Sequence, residues 1–230
     1  MESIAPHPDS DYRRLQRLLQ GGRPQAVRSW AAGYLAAVLT GDRQAHAVRH
    51  PLGFVCFPVF REGGHGVCLH VWTAGIRSSS TTSAIHAHSW DLVSTVLYGE
   101  VGNEVVEIEA AGGAPTHRLY EIHSGRDGDQ VRGTDRMVSY RRRSREFFRR
   151  GDVYDLPHGV FHVSEVGGEA ATVALGRDRQ GRPDLSLAPP HVDDHRVRRT
   201  ACTPEETRRV AGLVLARLRD DATSDRRPDE

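Results

Sequence analysis

The chain has 230 residues, 38% hydrophobic and 27% charged, which is typical of one soluble globular domain with additions. It contains no lysine, which excludes a lysine Schiff base and a P-loop, and its net charge of +1 argues against a nucleic-acid partner. The three cysteines form no CxxC pair, and the sequence has no signal-peptide core or membrane-spanning apolar run, so we predict a cytoplasmic protein without membrane contact.

The N-terminal region carries two helical patterns. Apolar residues at helical spacing predict one helix over residues 9–20 and a second from Pro24 to Gly41. Their apolar stripes are too short to bury a core alone. We therefore expect residues 1–49 to pack on the domain that follows.

From Pro51 onward the pattern changes to short β-type runs. They cover residues 52–60, 66–72, 90–98, 101–109, 117–123, 136–149, 152–156, 160–165 and 170–176. Gly, Pro or Asp separates nearly all of them, and no helical pattern intervenes. Residues 50–176 are therefore predicted to form a mainly β sandwich or closed barrel.

The C-terminal part is predicted to be simpler. Residues 177–202 have the pattern of a mostly irregular connection. Thr203 and Glu206 form a capping-box pattern around Pro204 and predict a helix over residues 203–220. Residues 221–230 are expected to be disordered.

Two histidine-containing segments carry the chemistry. His86 and His88 are two residues apart, so in a strand both side chains point to one face. His162 begins a later β run, just after a Pro-x-Gly turn. Together they predict a three-imidazole metal site, and imidazole suits iron, zinc, nickel and copper alike.

These residues resemble the two motifs of the cupin superfamily. The second motif is matched at Gly151, Pro157, Gly159 and His162, and the first at His86, His88 and Gly99. The resemblance implies a jelly-roll barrel, also called a double-stranded β-helix, over residues 50–176. It also implies that His86, His88 and His162 are the metal ligands.

The first motif departs from the cupin pattern at its glutamate. Leu92 or Val93 stands at that position, which leaves three histidines. Such a set is similar to that of the thiol dioxygenases, and this implies iron(II) with a chelating anionic substrate and O2 at open positions. Asp91 is one residue away, but strand parity places it on the opposite face unless a bulge turns it inward.

Four further side chains are candidates for the pocket: His70, Tyr98, Tyr154 and Arg143. His70 shares a strand face with Cys68 and Trp72, and one face of that strand must line the barrel. Each tyrosine is either a pocket hydroxyl or a core residue. Arg143 would hold a substrate carboxylate if it faced inward, and otherwise lies in solvent. His158, inside the Pro-x-Gly turn, is expected to point to solvent.

Three functions remain open. The first is an iron(II)- and O2-dependent oxygenase of a small polar, carboxylate-bearing metabolite. The second is a non-redox cupin with zinc, nickel or manganese. Residues 49–104 are also similar to stand-alone bacterial biosynthetic cupins, among them the zinc-binding cupin parts of N–N-bond-forming hydrazine synthetases. The third is a non-catalytic metal- or ligand-binding module. A homodimer is expected, because open strand edges favour pairing.

Overall fold

A computed structural model of the chain describes residues 8–75, 83–109, 114–125, 128–179 and 181–224. The helices are α1 (Pro8–Gln20), α2 (Pro24–Thr40) and α3 (Pro204–Ser224). The strands are β1 (Val48–Arg49), β2 (Val55–Glu62), β3 (His65–Trp72), β4 (His86–Ala87), β5 (Trp90–Tyr98), β6 (Glu100–Glu109), β7 (His117–Gly125), β8 (Gly128–Arg149), β9 (Val153–Leu156), β10 (His162–Glu165), β11 (Ala170–Asp178), β12 (Asp184–Ala188), β13 (His195–Val197) and β14 (Thr200–Ala201). None of the described helices is long and apolar enough to cross a membrane.

The strands form two antiparallel sheets. The first sheet has the order β14-β1-β2-β3-β11-β5-β9, and the second has the order β13-β8-β6-β10-β4-β12-β7. From β4 to β11 the chain passes repeatedly from one sheet to the other, which is the jelly-roll arrangement. The predicted fold class is therefore confirmed: a mainly β jelly roll with N-terminal helices and a C-terminal helix.

The helices cover the outer face of the first sheet. Val67 and Leu69 of β3 share one buried cluster with Leu15 of α1, Leu35 of α2 and Val214 of α3. Burial of such side chains is the main favourable contribution to folding, at about 25 cal/mol per Å² of apolar surface. The N-terminal segment thus packs on the β-sheet.

The opposite face of the first sheet points toward the second sheet, and we call the space between them the lumen. Side chains alternate along each strand, so Thr172 of β11 faces away from the helix-packed Ala171 and Val173. Thr172 lies directly opposite His70 of β3 and Val96 of β5. These three side chains therefore point into the lumen.

The capping box predicted at the start of α3 is present. The N–H of Glu206 donates to Oγ1 of Thr203 at 3.1 Å, and the N–H of Thr203 donates to Oε2 of Glu206 at 2.9 Å. Glu206 also accepts a hydrogen bond from the Arg49 guanidinium at 2.6 Å. The cap therefore fixes the start of the helix and ties it to β1.

Three stretches differ from the sequence-based expectation. Residues 177–202, expected to be mostly irregular, contribute β12, β13 and β14, because pairing with neighbouring strands orders runs too short to show a pattern. Strand β8 starts at Gly128, eight residues before the predicted position. Its pairing with β7 keeps the chain in strand conformation through Gly133 and Asp135. Helix α3 extends to Ser224, into the segment expected to be disordered, and residues 225–230 lie outside the described residues.

Gly99, which joins β5 to β6, occupies a position that only glycine fits. Its φ is +77°, and a Cβ atom there would overlap the carbonyl oxygen of Glu169 and lie 2.8 Å from Cα of Ala170. Gly99→Ala is expected to lower the free energy of unfolding by about 2–5 kcal/mol, from left-handed strain plus the overlap. Urea unfolding measures this loss.

Gly151→Ala is the matched control for this prediction. Gly151 also has a positive φ, +87°, but among the described residues no heavy atom lies within 4 Å of its added Cβ. Gly151→Ala should therefore lower the free energy of unfolding only by the contribution of backbone strain, about 1–2 kcal/mol. Equal losses in the two variants would contradict the account of Gly99.

Candidate metal centre

Three histidines meet on the lumen face of the second sheet. His86 in β4 lies directly opposite His162 in β10 in antiparallel register, so both side chains point to one face. His88 follows His86 by two residues and points the same way. The structure thus brings together the three histidines that the sequence motifs singled out.

The three imidazoles pack against one another. Ring centroids lie 4.3 Å apart for His86 and His162, 4.8 Å for His86 and His88, and 5.2 Å for His88 and His162. One nitrogen of each ring lies within 4.8 Å of the others, so a single ion is within reach of all three. His86 and His162 are buried and His88 is half-buried, which makes the His88 side the more open one.

Backbone carbonyls orient two of the rings. Nδ1 of His86 lies 3.0 Å from the carbonyl oxygen of Ala84, and Nδ1 of His162 lies 3.0 Å from that of Val160. A carbonyl oxygen only accepts, so each Nδ1 carries the proton and each Nε2 keeps a free lone pair. Metal-ligating histidines are commonly held in this way, so these residues fit a metal ion.

A turn links the two histidine segments. Gly159, with φ +75°, donates its N–H to the carbonyl oxygen of His88 at 2.8 Å. The N–H of Val160 donates to the carbonyl oxygen of Pro157 at 3.2 Å, which closes the turn. The Pro-x-Gly sequence therefore positions His162 and at the same time holds the backbone at His88.

Burial keeps the three imidazoles uncharged. Together with a smaller effect of the neighbouring His88, it lowers the pKa of His86 to about 3. Burial, followed by the nearby His86, likewise lowers the pKa of His162 to about 3. The pKa of His88 is held well below its usual value by burial first and then by His162. Neutral imidazole is the form that binds metal.

These shifts predict how the stability of the metal-free protein depends on pH. The pKa of His86 and His162 is about 3 in the folded chain but 6.5 when unperturbed. Between these two pH values the unfolded chain therefore binds more protons than the folded chain. The stabilising contribution is present above pH 6.5 and is lost as the pH falls toward 3. The thermal midpoint of metal-free protein should fall between about pH 7 and about pH 5. His86→Gln should reduce that drop, and an unchanged drop would contradict the assignment.

Asp91 lies outside the histidine cluster, as strand parity predicted. Its carboxylate accepts hydrogen bonds from the backbone N–H of His158 at 3.1 Å and from Nε of Arg179 at 2.8 Å. The backbone N–H and ring of His158, with Arg179, lower its pKa to about 2. His158, expected to point to solvent, instead places Nδ1 2.9 Å from Asp91, because the turn brings it back over β5.

Tyr154 is the one of the two candidate tyrosines that lies in the lumen. It is buried, stacks on Phe148 with centroids 4.6 Å apart, and lies opposite Ser94 of β5. Burial raises the pKa of its hydroxyl, and the neighbouring Ser94 and Asn103 side chains only partly offset this. The hydroxyl is therefore protonated at neutral pH.

Tyr98 and Arg143 are placed elsewhere, and a β-bulge accounts for each position. Tyr98 pairs with Ala171 beyond a register shift and packs in the helix-side cluster, which turns it away from the lumen. Arg143 lies at the register shift between β6 and β8, and its side chain is exposed. The structure brings neither residue to the three histidines.

His70 belongs to a second cluster that sequence analysis did not find. Its nearest potential metal-ligating neighbours are Cys56 of β2 and Cys68 of β3. The alternation of Cys68, His70 and Trp72 signalled a shared face, but Cys56 joins them only through the register between β2 and β3. No pattern local to either strand encodes that register.

No family model and no curated protein matches the sequence. Among solved structures, the chain is similar to hydroquinone 1,2-dioxygenase PnpCD in complex with Cd²⁺ and 4-hydroxybenzonitrile. The two sequences are 16% identical, the match covers 54% of this chain and 63% of that chain, and the TM-score is 0.33. It is similar to hydroquinone 1,2-dioxygenase from Sphingomonas sp. TTNP3 with 4-hydroxybenzoate bound, with 14% identity, coverage of 53% and 64%, and a TM-score of 0.34. It is also similar to E. coli ycfD, with 12% identity, coverage of 68% and 40%, and a TM-score of 0.32. The chain spans less than two thirds of the length of each of these proteins.

Proposed function

We propose that the protein is a mononuclear metal-dependent enzyme that uses iron(II) and O2 to oxidise a small polar, carboxylate-bearing metabolite. His86, His88 and His162 would hold the metal. The observation that carries this proposal is their cluster of uncharged imidazoles, to which no carboxylate belongs in the described ranges. Bound iron(II) would supply redox chemistry toward O2 that protein side chains lack.

The charge of the site favours an anionic substrate. Three neutral ligands leave the charge of a divalent ion uncompensated, and a nearby carboxylate would balance it. Asp91, the acidic side chain next to the first motif, is already engaged by His158 and Arg179. The substrate would therefore bring the negative charge that the protein does not provide at the cluster.

The lumen also contains polar groups suited to orient a substrate. Oγ1 of Thr172 is buried and has no hydrogen-bond partner among the described residues, and the buried side-chain amide of Asn103 lies beside the Tyr154 hydroxyl. An unpaired buried hydroxyl such as that of Thr172 costs about 1–3 kcal/mol, which a hydrogen bond to a bound carboxylate or hydroxyl would offset. Asn103 lies opposite Ser164, two residues along β10 from His162. These groups would position the substrate beside the metal ligands.

Aromatic rings would limit water at the site. The Trp90 ring lies against His88, the more open of the three histidines, with centroids 4.4 Å apart. Phe148 and Tyr154 pack further along the lumen. A low local water content strengthens the electrostatic attraction between an anionic substrate and the site.

A second candidate function is a zinc enzyme without redox chemistry, such as a lyase, an isomerase or an N–N-bond-forming enzyme. The ligand set itself favours this alternative, because three histidines with one open position also form catalytic zinc sites. The two candidates differ in coordination number. Zinc commonly fills its shell with one water, whereas six-coordinate iron keeps room for both a chelating substrate and O2.

Nitric oxide distinguishes the two candidates without a known substrate. Protein purified under anaerobic conditions is analysed for metal, then loaded with iron(II) and exposed to nitric oxide. We expect the half-integer-spin EPR signal of iron(II) with an open position, and a change in that signal when a panel of small carboxylic acids is added. Zinc-loaded, iron-free protein that turns over one of these acids under strict anaerobiosis would overturn the iron proposal.

A further inference from the structure

A second group of potential ligands faces the lumen from the first sheet. Cys56 of β2 lies directly opposite His70 of β3, so the two side chains share a face. Cys68 precedes His70 by two residues and points the same way. We call Cys56, Cys68 and His70 the thiol cluster.

The thiol cluster is tightly packed. Sγ of Cys56 and Sγ of Cys68 are 3.1 Å apart, and each of the three residues offers a ligand atom within 4.8 Å of the other two. Cys56 is buried, and Cys68 and His70 are half-buried. One ion is therefore within reach of two sulfurs and one imidazole.

Hydrogen bonds favour a thiolate within this cluster. The thiol of Cys56 donates to Cys68, and this contact lowers the pKa of Cys68 well below its usual value. A hydrogen bond from His70 adds to the effect, although burial opposes it. The same contact, together with burial, raises the pKa of Cys56. Cys68 is thus the sulfur of the pair that loses its proton more readily, and soft metal ions prefer thiolate ligands.

Aromatic rings enclose the thiol cluster. Phe54 lies 4.5 Å from His70 and 5.1 Å from Trp72, measured between ring centroids. Phe54 also stacks on His50, with ring centroids 4.3 Å apart. Aromatic rings therefore border the thiol cluster on the side of His70.

We propose that Cys56, Cys68 and His70 form a second metal site, distinct from the three histidines, that binds a thiophilic d10 ion, Zn²⁺ or Cu⁺. Two sulfurs and one imidazole are the ligand set that such ions select. The site lies on the first sheet, whereas His86 and His162 lie on the second. The chain would thus hold two chemically different metal sites in one lumen.

The register favours a metal over a disulfide. Cys56 pairs with His70 and Cys68 pairs with Pro58, so the two cysteines are diagonal neighbours across the strands. The Cα atoms of diagonal neighbours are about 7–8 Å apart, beyond the usual Cα–Cα span of a disulfide, and the two sulfurs at 3.1 Å are farther apart than bonded sulfurs. A disulfide would also leave His70 without a role, whereas a metal uses all three side chains.

Cobalt(II) is the probe, because cobalt bound to thiolate gives a strong near-ultraviolet charge-transfer band that cobalt bound only to imidazole lacks. Metal-free, reduced full-length protein is titrated with Co²⁺ under anaerobic conditions. We expect the sulfur band in the wild type and in His162→Ala, in which the three-histidine site is disrupted. Persistence of the band in that variant separates this proposal from the proposed function.

Two substitutions and one control test the ligands. Cys56→Ser and His70→Asn should weaken the binding that produces the sulfur band by roughly 100-fold, the effect of losing one ligand. Cys202→Ser is the control, because Cys202 is a free cysteine buried in the helix-side cluster. A band that is absent in the wild type, unchanged in Cys56→Ser or lost in Cys202→Ser would overturn the site.

The nature of the ion is tested by displacement. Zn²⁺ or Cu⁺, the latter under reducing conditions, should remove the cobalt band, and the tighter competitor identifies the preferred ion. Mass spectrometry of anaerobically purified protein gives an independent check. A Cys56–Cys68 disulfide in that material would overturn the proposal, and two free thiols would support it.

Discussion

His162→Ala is expected to lower the affinity for a metal at the three-histidine site by about 10²–10³-fold, because it removes one of the three proposed ligands. The estimate follows from the binding free energy of four-ligand zinc sites, about 10–16 kcal/mol, which is about 2.5–4 kcal/mol per ligand. His162 is 1% exposed, so water cannot simply replace the imidazole from outside. Activity that depends on the metal should fall in parallel. Competition with a chromophoric chelator measures the affinity.

His158→Ala is the matched control for this variant. His158 lies four residues earlier and contacts Asp91 rather than the histidine cluster. Its removal should leave the metal affinity within about threefold of the wild type, since the part-buried contact with Asp91 is worth only about 0.5–1.5 kcal/mol and lies outside the histidine cluster. If His158→Ala weakened metal binding as much as His162→Ala, the ligand assignment would be wrong.

Phe57→Ala is expected to lower the free energy of unfolding by about 3–5 kcal/mol, the usual cost of emptying a fully buried aromatic site. Phe57 is 0% exposed and packs in the cluster shared by the helices and the first sheet. Because that cluster joins α1, α2 and α3 to the barrel, the loss should appear as one shifted transition. Urea unfolding followed by circular dichroism and tryptophan fluorescence tests both points.

Phe147→Ala provides the comparison for Phe57. Phe147 is 50% exposed on β8, so Phe147→Ala should lower the free energy of unfolding by less than about 1 kcal/mol. If Phe57→Ala does not fold, Phe57→Leu is measured instead, with an expected loss of about 1–2 kcal/mol. Separate transitions for the helices and the barrel would show that the N-terminal segment is an independent unit.

Features that depend on local periodicity can be predicted from the sequence. The alternation along β5 and β6 predicts both strands, and the two-residue spacing of His86 and His88 predicts their shared face. The capping box at Thr203 predicts the start of α3. In each case the deciding interactions lie within a few residues of one another.

Features that depend on the register between strands cannot be predicted from the sequence in the same way. Periodicity places Tyr98 on the same face as Val96, but a bulge beside Ala171 reverses that face. The thiol cluster likewise arises from the alignment of two strands. Neither the bulge nor the thiol cluster leaves a local sequence pattern, because both depend on how separate segments of the chain pair.

The pairing of β4 with β10 determines when the proposed metal site can form. His86 and His88 lie far from His162 along the chain, and they meet only when these strands pair and the Gly159 turn closes on His88. Such long-range pairing forms late and slowly in β-rich proteins. We therefore expect the metal to load after synthesis onto an already folded chain. The ion acquired would then depend on which metals are available in the compartment at that moment, and apo-protein would accumulate whenever synthesis outpaces supply.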